Sequence, residues 1–172
     1  MNIQDSGKRR EFASGAVRDI ADGKGRCDLL PLGVIAYYTK NDREVSDIFS
    51  YIDSYVRSGD TQHLCEAIGI FTEAVGWDFS TAMLEVSKHY EDGAKKYAER
   101  NWERGISLHC YIDSGVRHLL KFLRGDKDER HDRAFLWNML CAIWTHKNKP
   151  ELIDLPFAAE ESYEGNTYPI DT

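Results

Sequence analysis

An all-α fold is predicted by three features of this sequence. Apolar residues recur at helical spacing in five separate segments between residues 41 and 146. Glycines or capping residues mark the ends of these segments, and no stretch alternates polar and apolar residues as a strand would. We therefore expect a bundle of about five helices, with a Gly-rich N-terminal segment and an irregular C-terminal tail.

The composition is that of an ordinary globular domain. The chain is 42% hydrophobic and 30% charged. Its length of 172 residues is sufficient for one domain with a substantial core. We expect a single all-α domain over residues 15–157. A flexible N-terminus is predicted over residues 1–14, and an acidic tail over residues 158–172.

The charge and the apolar runs argue against two classes of partner. The formal net charge is −7, which does not match the basic surface that binds extended nucleic acid. No apolar run is long enough to cross a bilayer, and the first residues, MNIQDSGKRREF, lack the apolar core of a signal peptide. We therefore expect a cytoplasmic protein. We expect its four cysteines to be reduced, because they are widely spaced and form no CxxC pair.

Four glycines punctuate a charged segment near the N-terminus, GAVRDIADGKGRCDLLPLGV. Glycine permits positive φ and close backbone approach, so this segment is able to wrap a ligand with its amides exposed. A plain surface loop leading into a helix explains the same composition. The glycine spacing matches neither the GxGxxG nor the P-loop pattern.

The first two helices are predicted to form an αα-hairpin over residues 41–76. Asn41 and Glu44 are spaced like a capping box, and an apolar stripe follows them. A second stripe runs from Leu64 to Val75. Neither segment carries clustered chemistry, so we interpret the hairpin as an element used for packing or for contacts between subunits.

Three further helices, predicted over residues 80–146, carry most of the polar chemistry. The first of them begins near Ser80, the second at the candidate N-cap Ser107, and the last near Asp128. Each combines an apolar stripe with acids, bases or histidines on a neighbouring face. This combination predicts a site enclosed between packed helices.

Acidic side chains from separate helices would converge in such a site. Converging carboxylates are unfavourable unless a cation joins them, and oxygen-rich ligands favour Mg²⁺ or Mn²⁺. The candidate metal ligands are Glu91, Asp113, Glu129, His131 and Asp132. Surface ion pairs are the alternative for two of these acids, because Glu91 precedes Lys95, and Asp113 precedes Arg117, by one helical turn.

Basic, amide and histidine side chains near the acids are candidates for substrate binding. They are Lys95, Asn101, Arg117, His118, Lys121 and Asn138. The three bases would place positive charge beside an anionic substrate. A buried, satisfied amide or an ordinary surface histidine would give the same sequence pattern. The whole arrangement suits hydrolysis of a phosphoanhydride, with a metal ion polarising phosphoryl oxygens and bases stabilising the leaving group.

Four runs of this sequence resemble one enzyme family. They are GAVRDIADGKGRCDLLP, HYEDGAKKYAERNWERGI, YIDSGVRHLLKFLRGD and DERHDRAFLWN. They closely resemble the dATP/dGTP diphosphohydrolase family of phages and bacteria, which is similar to the MazG-like all-α nucleoside triphosphate pyrophosphatases. The resemblance covers about residues 12–32 and 80–146.

The resemblance implies a reaction and a set of catalytic acids. A purine deoxynucleoside triphosphate, dATP or dGTP, would be cleaved to the monophosphate and pyrophosphate with Mg²⁺ or Mn²⁺. The acids of MazG-like enzymes lie on two facing helices, and Glu91, Glu129 and Asp132 are the matching positions. The ExxE pair of the first helix is absent here, whereas Glu129 and Asp132 satisfy ExxD.

A second alignment of the last helix is also open. If the Trp137-Asn138 pair is matched to the MazG-like helix, the acidic positions fall on His131 and Ala134. His131 would then be a metal ligand, and one ligand position would be empty. The sequence does not decide between the two registers.

The resemblance also suggests roles outside the catalytic helices. We hypothesise that the Gly-rich segment folds over the nucleotide, with Arg18, Lys24 or Arg26 near phosphate and Asp28 near the base. The hairpin over residues 41–76 matches nothing in the MazG-like pattern, so the resemblance implies that it is an insertion. MazG-like relatives commonly assemble as dimers or tetramers, so a homo-oligomer is expected.

Two other functions are compatible with the same residues. A non-catalytic helical module that binds nucleotides or a protein partner would use its acids only for solubility. His118 with Asp113 suggests an HD-type phosphohydrolase that releases inorganic phosphate. The full His and Asp spacing of that class is not present in the sequence.

Overall fold

The computed structural model describes residues 8–20 and 23–157 of the chain. The all-α prediction is confirmed, since these residues form six α-helices and one two-stranded sheet. The helices are α1 (Leu32–Tyr38), α2 (Arg43–Ser58), α3 (Gln62–Ala74), α4 (Phe79–Tyr97), α5 (Leu108–Arg124) and α6 (His131–Asn148). None of the helices in this part of the chain has both the length and the apolar character that a membrane crossing requires. The predicted acidic tail lies outside the described residues.

Helices α2 to α6 are the five helices that the apolar periodicity predicts. Helix α1 is an addition, and its sequence, LGVIAYY, explains why the pattern missed it. Val34, Tyr37 and Tyr38 are 65%, 72% and 85% exposed, so the apolar residues of α1 surround the helix instead of forming one stripe.

Two predicted helix caps can be compared with the structure. Asp42, not Asn41, caps α2 by accepting a hydrogen bond from the backbone N–H of Val45 at 3.2 Å. Aspartate and asparagine are both good N-caps, so neighbouring candidates cannot be separated by residue type alone. Ser107 occupies the N-cap position of α5 as predicted, but its side chain makes no capping bond.

Helices α5 and α6 lie side by side at the centre of the hydrophobic core. Gly115 of α5 allows this approach, because a side chain there would meet Met139 of α6. Interior packing is dense enough that such a close contact fixes the relative position of the two helices. The buried apolar side chains of the pair are Leu108, Cys110, Tyr111, Ile112, Val116, Leu119, Ala134, Phe135, Leu136, Met139, Cys141 and Ala142.

The predicted hairpin over residues 41–76 is formed by α2 and α3, and it shares this core. Phe71 of α3 is 1% exposed. Its ring centroid lies 4.6 Å from that of Phe135 in α6 and 5.4 Å from that of Phe122 in α5. The hairpin therefore packs directly against the helices that carry the polar chemistry.

A short antiparallel hairpin precedes the helices, so the prediction that the chain lacks strands is wrong at this point. Strand β1 (Arg9–Glu11) pairs with β2 (Val17–Asp19), with Arg9 opposite Asp19. Strands of three residues are too short to show the two-residue period of a longer strand. Part of the segment predicted as a flexible N-terminus is thus ordered, while residues 1–7 lie outside the described residues.

The four cysteines are free thiols, in agreement with the prediction that they are reduced. Cys110 and Cys141 are buried in the core, Cys27 is half-buried, and Cys65 is exposed. No disulfide therefore contributes to the stability of the described residues, which depends on packing and hydrogen bonds.

Replacing Phe71 with alanine should lower the free energy of unfolding by about 3–5 kcal/mol, because it removes a buried ring from the contact between α3, α5 and α6. Chemical denaturation followed by circular dichroism measures this change. Phe79, which is 79% exposed, provides the matched control, since Phe79→Ala should change the value by about 0.5 kcal/mol or less. Equal effects of the two substitutions would contradict the packing described for the 41–76 hairpin.

Candidate active site

A cleft of about 540 Å³ lies between the β-hairpin, α4, the α4–α5 connection, α5 and the start of α6. It coincides with the site that the sequence predicts between the last three helices. The predicted site residues that line it are Arg18, Lys24, Glu91, Asn101, Asp113, Arg117, His118, Lys121, Glu129 and Asn138. The predicted site residues outside its lining are Arg26, Asp28, Lys95, His131 and Asp132.

Asp113 and Arg117 hold the Gly-rich segment against α5. The buried Asp113 carboxylate accepts a hydrogen bond from the backbone N–H of Cys27 at 2.7 Å and forms an ion pair with Arg117. Arg117 also donates to the backbone carbonyls of Lys24 and Gly25, at 3.1 Å each. Both side chains therefore bind the Gly-rich segment, and the metal role predicted for Asp113 stays a prediction.

Arg18 crosses from β2 to α6. Its guanidinium donates to the side-chain oxygen of Asn138 at 2.6 Å and to the backbone carbonyl of Cys110 at 3.1 Å. It also lies over the rings of Tyr111 and Trp137, at 5.5 and 5.7 Å from their centroids. All of these partners are neutral, so they fix the position of Arg18 without cancelling its charge.

Asn101, in the wall of the cleft, binds the backbone of strand β2. Its side-chain oxygen accepts a hydrogen bond from the backbone N–H of Val17 at 3.0 Å, and its amide donates to the carbonyl of Val17 at 3.1 Å. This paired contact continues the hydrogen bonding of β2 beyond the hairpin. Asp19, at the end of the same strand, accepts hydrogen bonds from Lys96 and Tyr97 of α4.

Three cations on the cleft wall form no salt bridge within the described part of the chain. They are Arg10, Arg18 and Lys24. Arg10 donates to the sulfur of Cys110 at 3.1 Å, and its buried Nε has no hydrogen-bond partner there. Unneutralised charge at the wall of a cleft favours an anionic ligand.

Arg10 was missed by the sequence prediction because it lies in the segment assigned to the flexible N-terminus. The sequence feature that could have indicated Arg10 is the basic run Lys8-Arg9-Arg10, which lies just before the Gly-rich segment. Such a run is usually a solvated surface. Only the pairing of β1 with β2 brings Arg10 to the cleft.

Two of the predicted catalytic acids have local partners. Glu91 is exposed and pairs with Lys95 one turn later, and this hydrogen bond lowers the pKa of Glu91. Asp132 accepts from Arg130 at 2.6 Å and from the backbone N–H of Arg133 at 2.8 Å. The local ion pair considered as the alternative for Glu91 is thus present.

Glu129 has a different environment because α6 begins at His131, after the predicted start near Asp128. Glu129 therefore precedes the helix, and the ExxD spacing does not place it on one helical face with Asp132. Its Oε1 lies 3.2 Å from Nδ1 of His118 and 3.5 Å from Nδ1 of His131. The two imidazole Nδ1 atoms are 3.0 Å apart.

These three side chains, His118, Glu129 and His131, form what we call the histidine cluster. Their ligand atoms lie close enough together to hold one metal ion. Of the five predicted metal ligands, all of them described, Glu129 and His131 alone meet here. Burial, followed by the nearby His131, holds the pKa of His118 well below its ordinary value, which keeps its imidazole neutral.

Arg26 and Asp28, predicted to contact the nucleotide, pair with each other at 2.7 Å between Nε and Oδ1. The cleft is lined instead by four aromatic rings. They belong to Tyr90, Tyr97, Trp102 and Trp137. Trp102 contacts Tyr90 edge to face, with 5.5 Å between the ring centroids.

Replacing Asp113 with alanine should speed hydrogen exchange at the Cys27 amide by about tenfold or more, because a hydrogen bond to a charged acceptor is lost. Exchange measured by NMR or mass spectrometry tests this. Asp53 provides a matched control, since it also accepts from a backbone amide, that of Gly33, and pairs with an arginine one turn later. Asp53→Ala should leave Cys27 protected; faster exchange at Cys27 in both variants would contradict a local clamp.

Comparison with known protein families identifies one family that matches this chain. Residues 69–155 match the family described as dATP/dGTP diphosphohydrolase, N-terminal, and the match includes α4, α5 and α6 with the histidine cluster. No curated protein and no solved structure matches the chain. Because the matched residues make up half of the chain, it belongs to the dATP/dGTP diphosphohydrolase N-terminal family.

Proposed function

We propose that the chain hydrolyses purine deoxynucleoside triphosphates between the α and β phosphates, giving the monophosphate and pyrophosphate. The observation that carries this proposal is the set of three cations, Arg10, Arg18 and Lys24, on the wall of the cleft without a salt bridge in the described residues. The cleft volume of about 540 Å³ is within the range of small-molecule sites. Family membership supports the reaction class.

Arg18 and Lys24 are suited to bind phosphate for different reasons. Arg18 is held by Asn138 and by the backbone of Cys110, so its guanidinium needs little reordering to meet an anion. Lys24 belongs to the clamped Gly-rich segment, whose backbone is fixed by Arg117. Placed in this way, both charges would stabilise the negative charge that develops on the leaving pyrophosphate.

A divalent metal ion, Mg²⁺ or Mn²⁺ in the sequence prediction, is part of the proposed function. The donor set of the histidine cluster fits a divalent ion, with two imidazoles and one carboxylate. His118 and Glu129 line the cleft, and His131 lies directly behind them. A bound ion would polarise a phosphoryl oxygen and lower the pKa of a coordinated water. Among the predicted catalytic acids, Glu129 is the one that this cluster supports.

The aromatic lining of the cleft supports recognition of a base. Tyr90, Trp102 and Trp137 line the cleft, and aromatic side chains bind nucleobases favourably by stacking. A purine presents a larger surface for stacking than a pyrimidine, which agrees with the dATP and dGTP specificity in the family description. Preference between the two purines is not part of the proposal.

Assembly into a dimer or tetramer stays a prediction. The apolar side chains of α1 give it some support, since Val34, Tyr37 and Tyr38 are exposed on one short helix. Exposed apolar patches of this kind often mark contacts between proteins. Sedimentation analysis of the full chain would measure the oligomeric state.

Incubation with each of the four deoxynucleoside triphosphates and Mg²⁺, Mn²⁺ or Co²⁺ should convert dATP and dGTP to monophosphate and pyrophosphate. Chromatographic separation of the products checks the site of cleavage. Release of inorganic phosphate or of triphosphate would contradict cleavage between the α and β phosphates. Nucleotides left intact with every ion would favour the non-catalytic binding module instead.

Replacing Arg10 with glutamine should lower kcat/KM by about 10- to 100-fold, because a hydrogen bond to a charged partner contributes roughly 1.5–3 kcal/mol. Steady-state kinetics with dGTP measures this loss. Arg57, which is exposed and paired with Asp53 outside the cleft, gives the matched control Arg57→Gln. A normal kcat/KM for Arg10→Gln, with folding verified by circular dichroism, would remove Arg10 from the substrate site.

A further inference from the structure

The distances within the histidine cluster are those expected between the ligands of one small metal ion. The three donor atoms are separated by 3.0, 3.2 and 3.5 Å. Zinc–nitrogen bonds of about 2.0–2.1 Å in a tetrahedral site place neighbouring ligands roughly 3.3 Å apart. The three atoms thus outline one face of a tetrahedron.

The carboxylate of Asp128 determines which nitrogen of His131 faces His118 and Glu129. Nε2 of His131 lies 2.7 Å from Oδ1 of Asp128, whose other oxygen accepts a hydrogen bond from Lys121 at 2.8 Å. An ionised carboxylate only accepts hydrogen bonds, so the proton of His131 is on Nε2. In the neutral tautomer with that proton, the lone pair of Nδ1 is on the side of His118 and Glu129. Metal-binding histidines are commonly oriented by such an outer carboxylate.

We propose that His118, Glu129 and His131 form a three-ligand site for a divalent transition-metal ion of the Zn²⁺, Co²⁺ or Fe²⁺ class, in preference to Mg²⁺. Imidazole nitrogen suits these ions, whereas Mg²⁺ requires an octahedral shell of oxygen ligands. Three protein ligands leave a coordination position for water or substrate, and His118 and Glu129 line the cleft. The role of this ion in turnover rests on the proposed function, whereas its binding does not.

Asp128 is assigned a positioning role, and Asp126 is not part of this site. Asp126, Asp128 and His131 form a second group whose ligand atoms also lie close together, on the Nε2 side of the ring. In that group Asp126 is paired with Arg124, and Asp128 with Lys121. These cations already satisfy the two carboxylates, so the histidine cluster is the better site.

Titration of the metal-depleted full chain with Co²⁺ tests the proposal without measuring turnover. We expect one ion per chain and intense visible absorption bands, which indicate low coordination number and nitrogen ligands. Zn²⁺ should displace Co²⁺, whereas Mg²⁺ should compete on the order of 100-fold less well or worse. Absence of Co²⁺ binding, or displacement by Mg²⁺ at equal concentration, would overturn the proposal.

Four substitutions locate the ion. His118→Asn and His131→Asn should abolish the Co²⁺ spectrum, and Asp128→Asn should weaken binding about 10- to 100-fold, as is typical for an outer-shell partner. Asp126→Asn is the matched control and should bind Co²⁺ normally. Normal binding by His118→Asn together with loss in Asp126→Asn would assign the ion to the second group. Circular dichroism of each variant separates lost ligation from lost folding.

Failure of this proposal and failure of the proposed function give different results. Co²⁺ binding at the histidine cluster in a chain that leaves all deoxynucleoside triphosphates intact supports the metal site and contradicts the hydrolase. Hydrolysis of dATP and dGTP with Mg²⁺, in a chain that does not bind Co²⁺, supports the hydrolase and contradicts the metal site.

Discussion

The cleft depends on the buried ion pair between Asp113 and Arg117. The segment before α1 buries little apolar surface, with Ala16 as its one fully buried residue within the described range. Polar contacts must therefore hold this segment on the helices. A buried ion pair is costly unless its remaining donors and acceptors are used, and here they bind the backbone of Lys24, Gly25 and Cys27. The pair thereby holds the Gly-rich loop in position as one wall of the cleft.

The helical core could be predicted because its signal is local. Helices α2 to α6 each carry an apolar stripe at helical spacing, and each was found within a few residues of its expected position. The β-hairpin could not be predicted in the same way. Strand β2 is held by the side chain of Asn101, which is 84 residues distant from Val17 in the sequence. A contact of that separation leaves no periodic pattern near either residue.

Contacts in the site, like those in the fold, could be predicted where the two residues are close in sequence and not where they are distant. The stretch that forms the cleft was predicted from its density of polar residues, and most candidates do line it. The ion-pair partner of a charged site residue could be predicted only where the partner lies one helical turn away on the same helix, as for Glu91 with Lys95. Glu129 precedes α6 and meets His118 of α5, and this contact depends on α6 beginning at His131. Sequence reasoning therefore proposed Glu129 and His131 as ligands but did not join His118 to them.

The distribution of charge makes the proposed binding of a polyanion compatible with an acidic protein. The formal net charge is −7, yet the acids on the helices are mostly paired with nearby bases. Glu85, for example, binds Lys88 and Arg133, and the hydrogen bond from Lys88 is the main reason that its pKa falls to about 2. Repulsion from distant surface charge is screened beyond about 8 Å at physiological ionic strength. Arg10, Arg18 and Lys24 line the cleft, so local attraction would favour the phosphates of the proposed substrate despite the net charge of the chain.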